Sequence, residues 1–131
     1  MKKNKIIFLS LILIFLSTEL FAQSFCVEVI SGALKKDSLE ETILHLSTNV
    51  EKAKTNFDKR IIFSFLGSIQ EQASKFKEAS ASFAKAVSFS VTQTEINSFV
   101  LPKDANSSQE IVYNMLKKTS SILVLDAVRC S

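Results

Sequence analysis

The sequence predicts an all-α fold, and three features carry that expectation. Glycine and proline are nearly absent: Gly32, Gly67 and Pro102 are the whole inventory of 131 residues, whereas all-β folds need frequent turn residues. Apolar side chains recur at spacings of three and four, the signature of one helical face. Ser, Thr, Asp or Asn residues with a Glu three positions on stand ahead of several such stripes and supply helix-opening chemistry.

The front end is different in kind. Lys2, Lys3 and Lys5 precede an apolar run from Ile6 to Leu16 broken only by Ser10, and Leu20-Phe21-Ala22 leads into Gln23. That order of charge, apolar core and small residue reads as a secretory signal peptide over residues 1–22, cut after Ala22. The run is shorter than the ~20 residues that a membrane span needs. Two other readings stay open. One is an uncut N-terminal anchor, since Leu20 is not the small residue preferred at −3. The other is a lipoprotein signal with Cys26 as the acylated residue, which Phe25 just before it disfavours. Without residues 1–22, thirteen basic and twelve acidic residues remain, a net charge of about +1 instead of the formal +3. No basic patch then recommends nucleic acid or an anionic membrane as a partner. The remaining 109 residues suit one domain at most, because domains commonly run to about 100–150.

A first short helix is predicted within residues 24–36, on Phe25, Cys26, Val27, Val29, Ile30 and Leu34. Asp37-x-x-Glu40 and Ser38-x-x-Glu41 both fit a capping box, followed by the stripe Leu39, Ile43, Leu46 and Val50 to about Ala53. Thr55 or Asn56 caps the third helix, with Asp58 in its first turn. Its apolar set of Phe57, Ile61, Ile62, Phe63, Phe65, Leu66, Ile69 and Ala73 covers more than half the circumference, so it is expected at the centre. The fourth helix spans Lys75 to about Ser90 with Phe76, Ala79, Phe83, Ala86 and Val87 inward, and the small Ser80, Ala81, Ser82 and Ala84 admit a close neighbour. Val91 to Asn106 reads as a long connection. Ser107-x-x-Glu110 opens the last helix, to about Arg129, which carries the apolar run Ile122-Leu123-Val124-Leu125.

Residues 60–93 resemble one tetratricopeptide repeat, a helix–turn–helix unit of about 34 residues. Leu66-Gly67 match the first-helix pair, Phe76 the aromatic at the turn, and Ala79, Phe83 and Ala86 the second-helix set. Phe63 stands where Trp is commonest, Gln70 where Tyr is expected, and Val91 where the closing Pro usually sits. An ordinary αα-hairpin is the competing reading. The resemblance implies that Gly67 and Ala79 face one another where the helices cross, with Phe76 and Phe83 buried nearby, and that Phe83 and Ala86 meet the next helix. It also implies stacked hairpins forming a concave surface for a peptide or partner protein. Residues 37–53 and 107–129 read as halves of degenerate flanking repeats.

Chemical candidates are few. His45 is the single histidine, off the apolar stripe of its helix and without a second histidine for a metal site. Cys26 and Cys130 do not make a metal pair, since zinc sites want four grouped ligands; they either bridge, in an oxidising compartment, or stay unpaired or pair between chains. Glu40-Glu41, Asp58 and Glu71 with Glu78 read as helix caps or solvated faces. Asn106-Ser107-Ser108 matches a glycosylation acceptor, but the lysine-led signal reads as bacterial, which leaves a chance match and a helix cap. Phosphate-binding glycine loops and nucleophile elbows are missing from the sequence, so no catalytic, metal or cofactor role is expected.

The functional expectation is an exported bacterial protein, periplasmic or secreted, that binds a protein or peptide through a helical surface and has no enzymatic activity. The Phe63–Val87 hairpin would be structural and the binding surface would lie on its neighbours. The rival expectation is a small non-repeat envelope or secreted protein, an inhibitor or dimeric assembly subunit, acting through its apolar C-terminal helix. In either case the last helix, with Ile111, Met115, Ile122, Leu125 and Val128, is the expected interface for a partner or a second copy. One repeat is few for a solenoid, so the chain also reads as either the N-terminal part of a longer repeat protein or an obligate partner-binder.

Overall fold

The computed structural model describes residues 25–130, with side chains to residue 118. The predicted signal peptide, residues 1–22, lies outside them. Among the described residues every regular element is a helix: α1 (Phe25–Leu34), α2 (Leu39–Val50), α3 (Asn56–Gln72), α4 (Phe76–Ser88), α5 (Gln93–Ser98) and α6 (Ser107–Cys130).

Local chemistry sets the helix ends. Ser38 is the N-cap of α2, its hydroxyl accepting from Glu41 N at 3.2 Å, while Glu41 Oε2 reaches back to Asp37 N at 3.4 Å. Thr55 caps α3 by accepting from Asp58 N at 3.1 Å. The α3–α4 turn closes by two backbone bonds, Lys75 N to Gln70 O at 2.8 Å and Ser74 N to Glu71 O at 3.0 Å. These are the two bonds of a Schellman ending, and they put Ser74 at φ 60°, in the left-handed region that favours glycine.

The wide apolar arc of α3 places that helix at the centre. Ile61 and Ile62 are fully buried, and α3 packs on α1, α2, α4 and α6. Cys26, Val29 and Ile30 of α1, Leu46 and Val50 of α2, and Val112 and Leu116 of α6 complete the core around it. Ser31 Oγ and Ser108 Oγ, 2.7 Å apart, join α1 to the start of α6.

Several expectations are corrected. The segment 91–106 is not an unbroken connection, because Thr92 and Glu95 form a reciprocal capping box that starts α5. Six residues are too few to show apolar periodicity, so only the cap marked it. The last helix is opened by Asn106 and not by Ser107: Asn106 Oδ1 accepts from Gln109 N at 3.0 Å, and Gln109 Oε1 accepts from Asn106 N at 3.0 Å. A Gln can serve the reciprocal role as well as a Glu, so the true box lay one residue earlier. Leu39 is 40% exposed, and Thr42 takes the inward place in the first turn of α2.

The repeat-like hairpin also differs from expectation. Ala79, Ser82 and Ala86 are the buried face of α4, but Phe76 is 65% exposed and Val87 45% exposed. The side chain nearest to Gly67 is Phe83: a Cβ built on Gly67 would stand 2.9 Å from its ring. The bare backbone at Gly67 makes room for that ring, and the buried Ala79 lies one turn earlier in α4.

Candidate functional site

Two surfaces and three side-chain clusters hold the residues of interest. The first cluster joins α1 to α2. His45 Nε2 donates to Val29 O at 3.0 Å, and the Asn49 amide lies 3.4 Å from His45 Nδ1 and donates to His45 O at 2.8 Å. A Cβ on Gly32 would stand 2.7 Å from His45 Nε2, so Gly32 is what lets the ring reach the backbone of α1. Nε2 thus joins α2 to α1, while Nδ1 faces Asn49 of its own helix. The neighbouring cleft of about 270 Å³ is lined by Lys36, Glu41, Leu44, His45, Thr48 and Asn49. Its Thr48 hydroxyl is committed to Leu44 O at 2.8 Å, and its apolar part is the side chain of Leu44, 68% exposed. A ligand site usually converges several polar groups on an enclosed space; here Asn49 and Thr48 are occupied by their own helix and His45 Nε2 by α1.

The second cluster lies where α1 and α3 begin. Asp58 is 6% exposed and stands in the first turn of α3, the helix-start reading and not the solvated one. Its Oδ1 accepts from Cys26 N at 3.1 Å and its Oδ2 from the Thr55 hydroxyl at 2.9 Å. One carboxylate therefore satisfies an orphan amide of α1 and lies in the first turn of α3, where the helix dipole favours negative charge. The sequence showed the cap of α3 but held no sign of the bond across 32 positions. Burial, and after it the Asp58 carboxylate, push the Cys26 thiol well above its ordinary range. A thiol held neutral and out of solvent is a poor nucleophile. Cys26 is free and fully buried, and the side chain of Cys130 lies outside the described residues.

At the open end of the α3–α4 hairpin, Arg60 is 1% exposed and its Nη1 donates to Phe89 O at 3.0 Å. Burial pushes the guanidinium below its ordinary range, yet an arginine remains charged at neutral pH. Phe63 stacks on Phe89 with centroids 5.9 Å apart and planes at 8°. The Lys85 ammonium sits 5.5 Å from the Phe63 ring and the Lys59 ammonium 5.4 Å from Phe89. These contacts fasten the end of α4 to α3. Sequence reasoning overlooked Arg60, because a charged residue beside an apolar run reads as solvated.

The remaining candidates are structural or exposed. Glu40 pairs with Lys75 at 3.4 Å, a solvent-facing bridge of little energetic weight. Glu71 and Glu78 are exposed. Asn106 spends its side chain on the α6 cap, and Ser108 is 4% exposed with its hydroxyl on Ser31, so the acceptor motif is a helix start. Among the described residues no group of three or more His, Cys, Asp or Glu is placed to hold a metal, and no helix is long and apolar enough to cross a membrane.

The two surfaces are helical. The outer side of α4 exposes Phe76, Ser80, Ala84 and Val87, one turn apart, with Ala81 beside them. On α6, Ile111 and Met115 are half-buried against the chain's own core, while the side chains of Ile122, Leu125 and Val128 lie outside the described residues. No family model, curated protein or solved structure matches this chain.

Proposed function

We propose that the chain is an exported protein that acts by docking a partner protein on the outer side of α4, and that it catalyses nothing. The observation that supports this reading most is the exposed Phe76, at 65%, and Val87, at 45%, with the small Ser80 and Ala84 on the same side and the exposed Lys77, Glu78 and Lys85 flanking it. Small side chains let a second helix approach closely, and the two large apolar ones give it anchors at either end. The likeness of residues 60–93 to a tetratricopeptide repeat supports the same reading, since the second helix of such a hairpin is where the next unit packs. The lysine-led apolar segment 1–22 supports export into the periplasm or the medium.

A second reading, a small helical assembly subunit that self-associates through α6, is favoured by the direction in which that helix folds. It packs on α1 and α3 and not as the opening of a further hairpin on α4, which leaves the repeat reading with one hairpin that resembles the family.

The test compares the wild-type chain with a Phe76→Asp/Val87→Asp variant in gently extracted exported fractions. Both positions are exposed, so melting temperature should hold while the particle carrying the chain shrinks to the lone chain. A wild-type chain already running at its own mass would overturn the docking reading.

A further inference from the structure

The two ends of α4 are held by different means, and the proposed docking surface spans both. At the front, the turn through Ser74 ties the helix directly to the end of α3 by two backbone bonds. Phe76, the front anchor, stands at the first position of α4. Val87, the rear anchor, lies in the last turn, just before the C-cap Phe89. Beyond that cap the chain gives the turn little hold, since no residue from 89 to 106 is buried.

A helix end leaves its last carbonyls without intrahelical partners. In α4, Ser88 Oγ donates to Lys85 O at 2.6 Å and Phe89 N to Ala86 O at 3.3 Å. Both bonds stay inside the turn. The bond from Arg60 Nη1 to Phe89 O, at 3.0 Å and across 29 positions, reaches out of it and ties it to α3. Arg60 is almost fully buried, so packing holds the donor where the carbonyl needs it. Phe63 stacks on Phe89 beside this bond, and the Lys85 ammonium lies over Phe63. Cations gathered here also oppose the negative end of the helix dipole. A lysine at position 60 would not serve, because its compact, strongly hydrated ammonium lacks the rigid fork of a guanidinium.

We infer that Arg60 is the positioning residue of the docking surface: by holding the Phe89 carbonyl it fixes the last turn of α4, and with it the place of Val87 relative to Phe76. The inference rests on the docking reading and adds the residue that keeps its two anchors in one frame. Eleven positions separate those anchors, about 16 Å or three turns of helix. Without the bond the last turn unwinds into the connection, and Val87 leaves the stripe while Phe76 keeps its place. Anchors already in place spare a partner the ordering that it would otherwise have to supply.

The experiment uses the full chain, produced with its own residues 1–22 in its host and carrying a photo-reactive residue at position 76. Four forms are compared: otherwise wild type, Arg60→Gln, Val87→Asp and the two together. Each single change should lower the cross-linked product about tenfold, and the pair should lower it no further, because both remove the same anchor. Hydrogen exchange of the purified Arg60→Gln chain should quicken over residues 84–89 and not over 76–83. Losses that multiply in the pair, or exchange that quickens along the whole of α3 and α4, overturn the inference and leave Arg60 a residue of general stability. An undiminished product in Arg60→Gln overturns it too. Should that variant not fold, Phe89→Ala loosens the same turn by removing the ring on Phe63, and the same cycle with Val87→Asp decides. A wild type that yields no product from position 76 strikes the docking reading itself, and that failure is separate because it precedes any change at Arg60.

Discussion

A single hydrogen at position 32, in place of a methyl, decides how closely α2 approaches α1. Gly32→Ala gains helix propensity of at most ~1 kcal/mol but drives a Cβ into the His45 ring, which cannot swing away without leaving Val29 O. The net cost should be about 1–3 kcal/mol, and in a His45→Ala background the same change should become neutral or stabilising. Equal effects in both backgrounds, measured by urea unfolding, would mean that the ring is not there. Cys26 makes the second prediction. Its folded-state pKa is raised, so the thiol's contribution is whole below about pH 8.5, where the unfolded thiol titrates, and declines above it. The stability gap between wild type and Cys26→Ala should therefore narrow as pH rises from 8 to 10, by up to ~1.4 kcal/mol per unit. Parallel curves would contradict the burial of the thiol. Residue-scale contacts of this sort were the least legible part of the sequence. Asp58 was read correctly as a first-turn acid of α3, while its bond to Cys26 depends on two helix starts meeting in space.

Helix boundaries were legible wherever capping chemistry and periodicity coincided, as at Ser38 and Thr55. They were misread where one of the two was missing. α5 had a box without a stripe, and α6 had its box displaced to Asn106 and Gln109. Ser74 is a residue whose backbone asks for glycine. Ser74→Gly should stabilise by about 1 kcal/mol, since the left-handed penalty for a side chain is roughly 1–2 kcal/mol and glycine returns part of it as unfolded-state entropy. A lower melting temperature would show that the turn closes differently. The hairpin α3–α4 provides a sharper contrast. Phe83 lies on Gly67 and Phe76 faces solvent, so Phe83→Ala should cost about 2 kcal/mol or more, while Phe76→Ser should change stability by no more than ~0.5 kcal/mol. Comparable losses at the two positions would restore the expectation that both rings are buried.

The all-α character of the whole chain followed from two glycines and one proline, and the central place of α3 followed from its wide apolar arc. The direction of α6 did not follow, because the stripe Ile111, Val112, Met115 and Leu116 says that the helix has a partner without naming α1 and α3. That placement leaves α4 with its outer side open, the side on which we propose that a partner protein docks after export. A photo-reactive residue at position 76, introduced into the chain produced with its own residues 1–22 in its host, reads this directly. One discrete cross-linked product is expected, confined to the exported fraction and missing when the same group replaces Thr48 on α2. No product at position 76, or an equal yield from position 48, would contradict it.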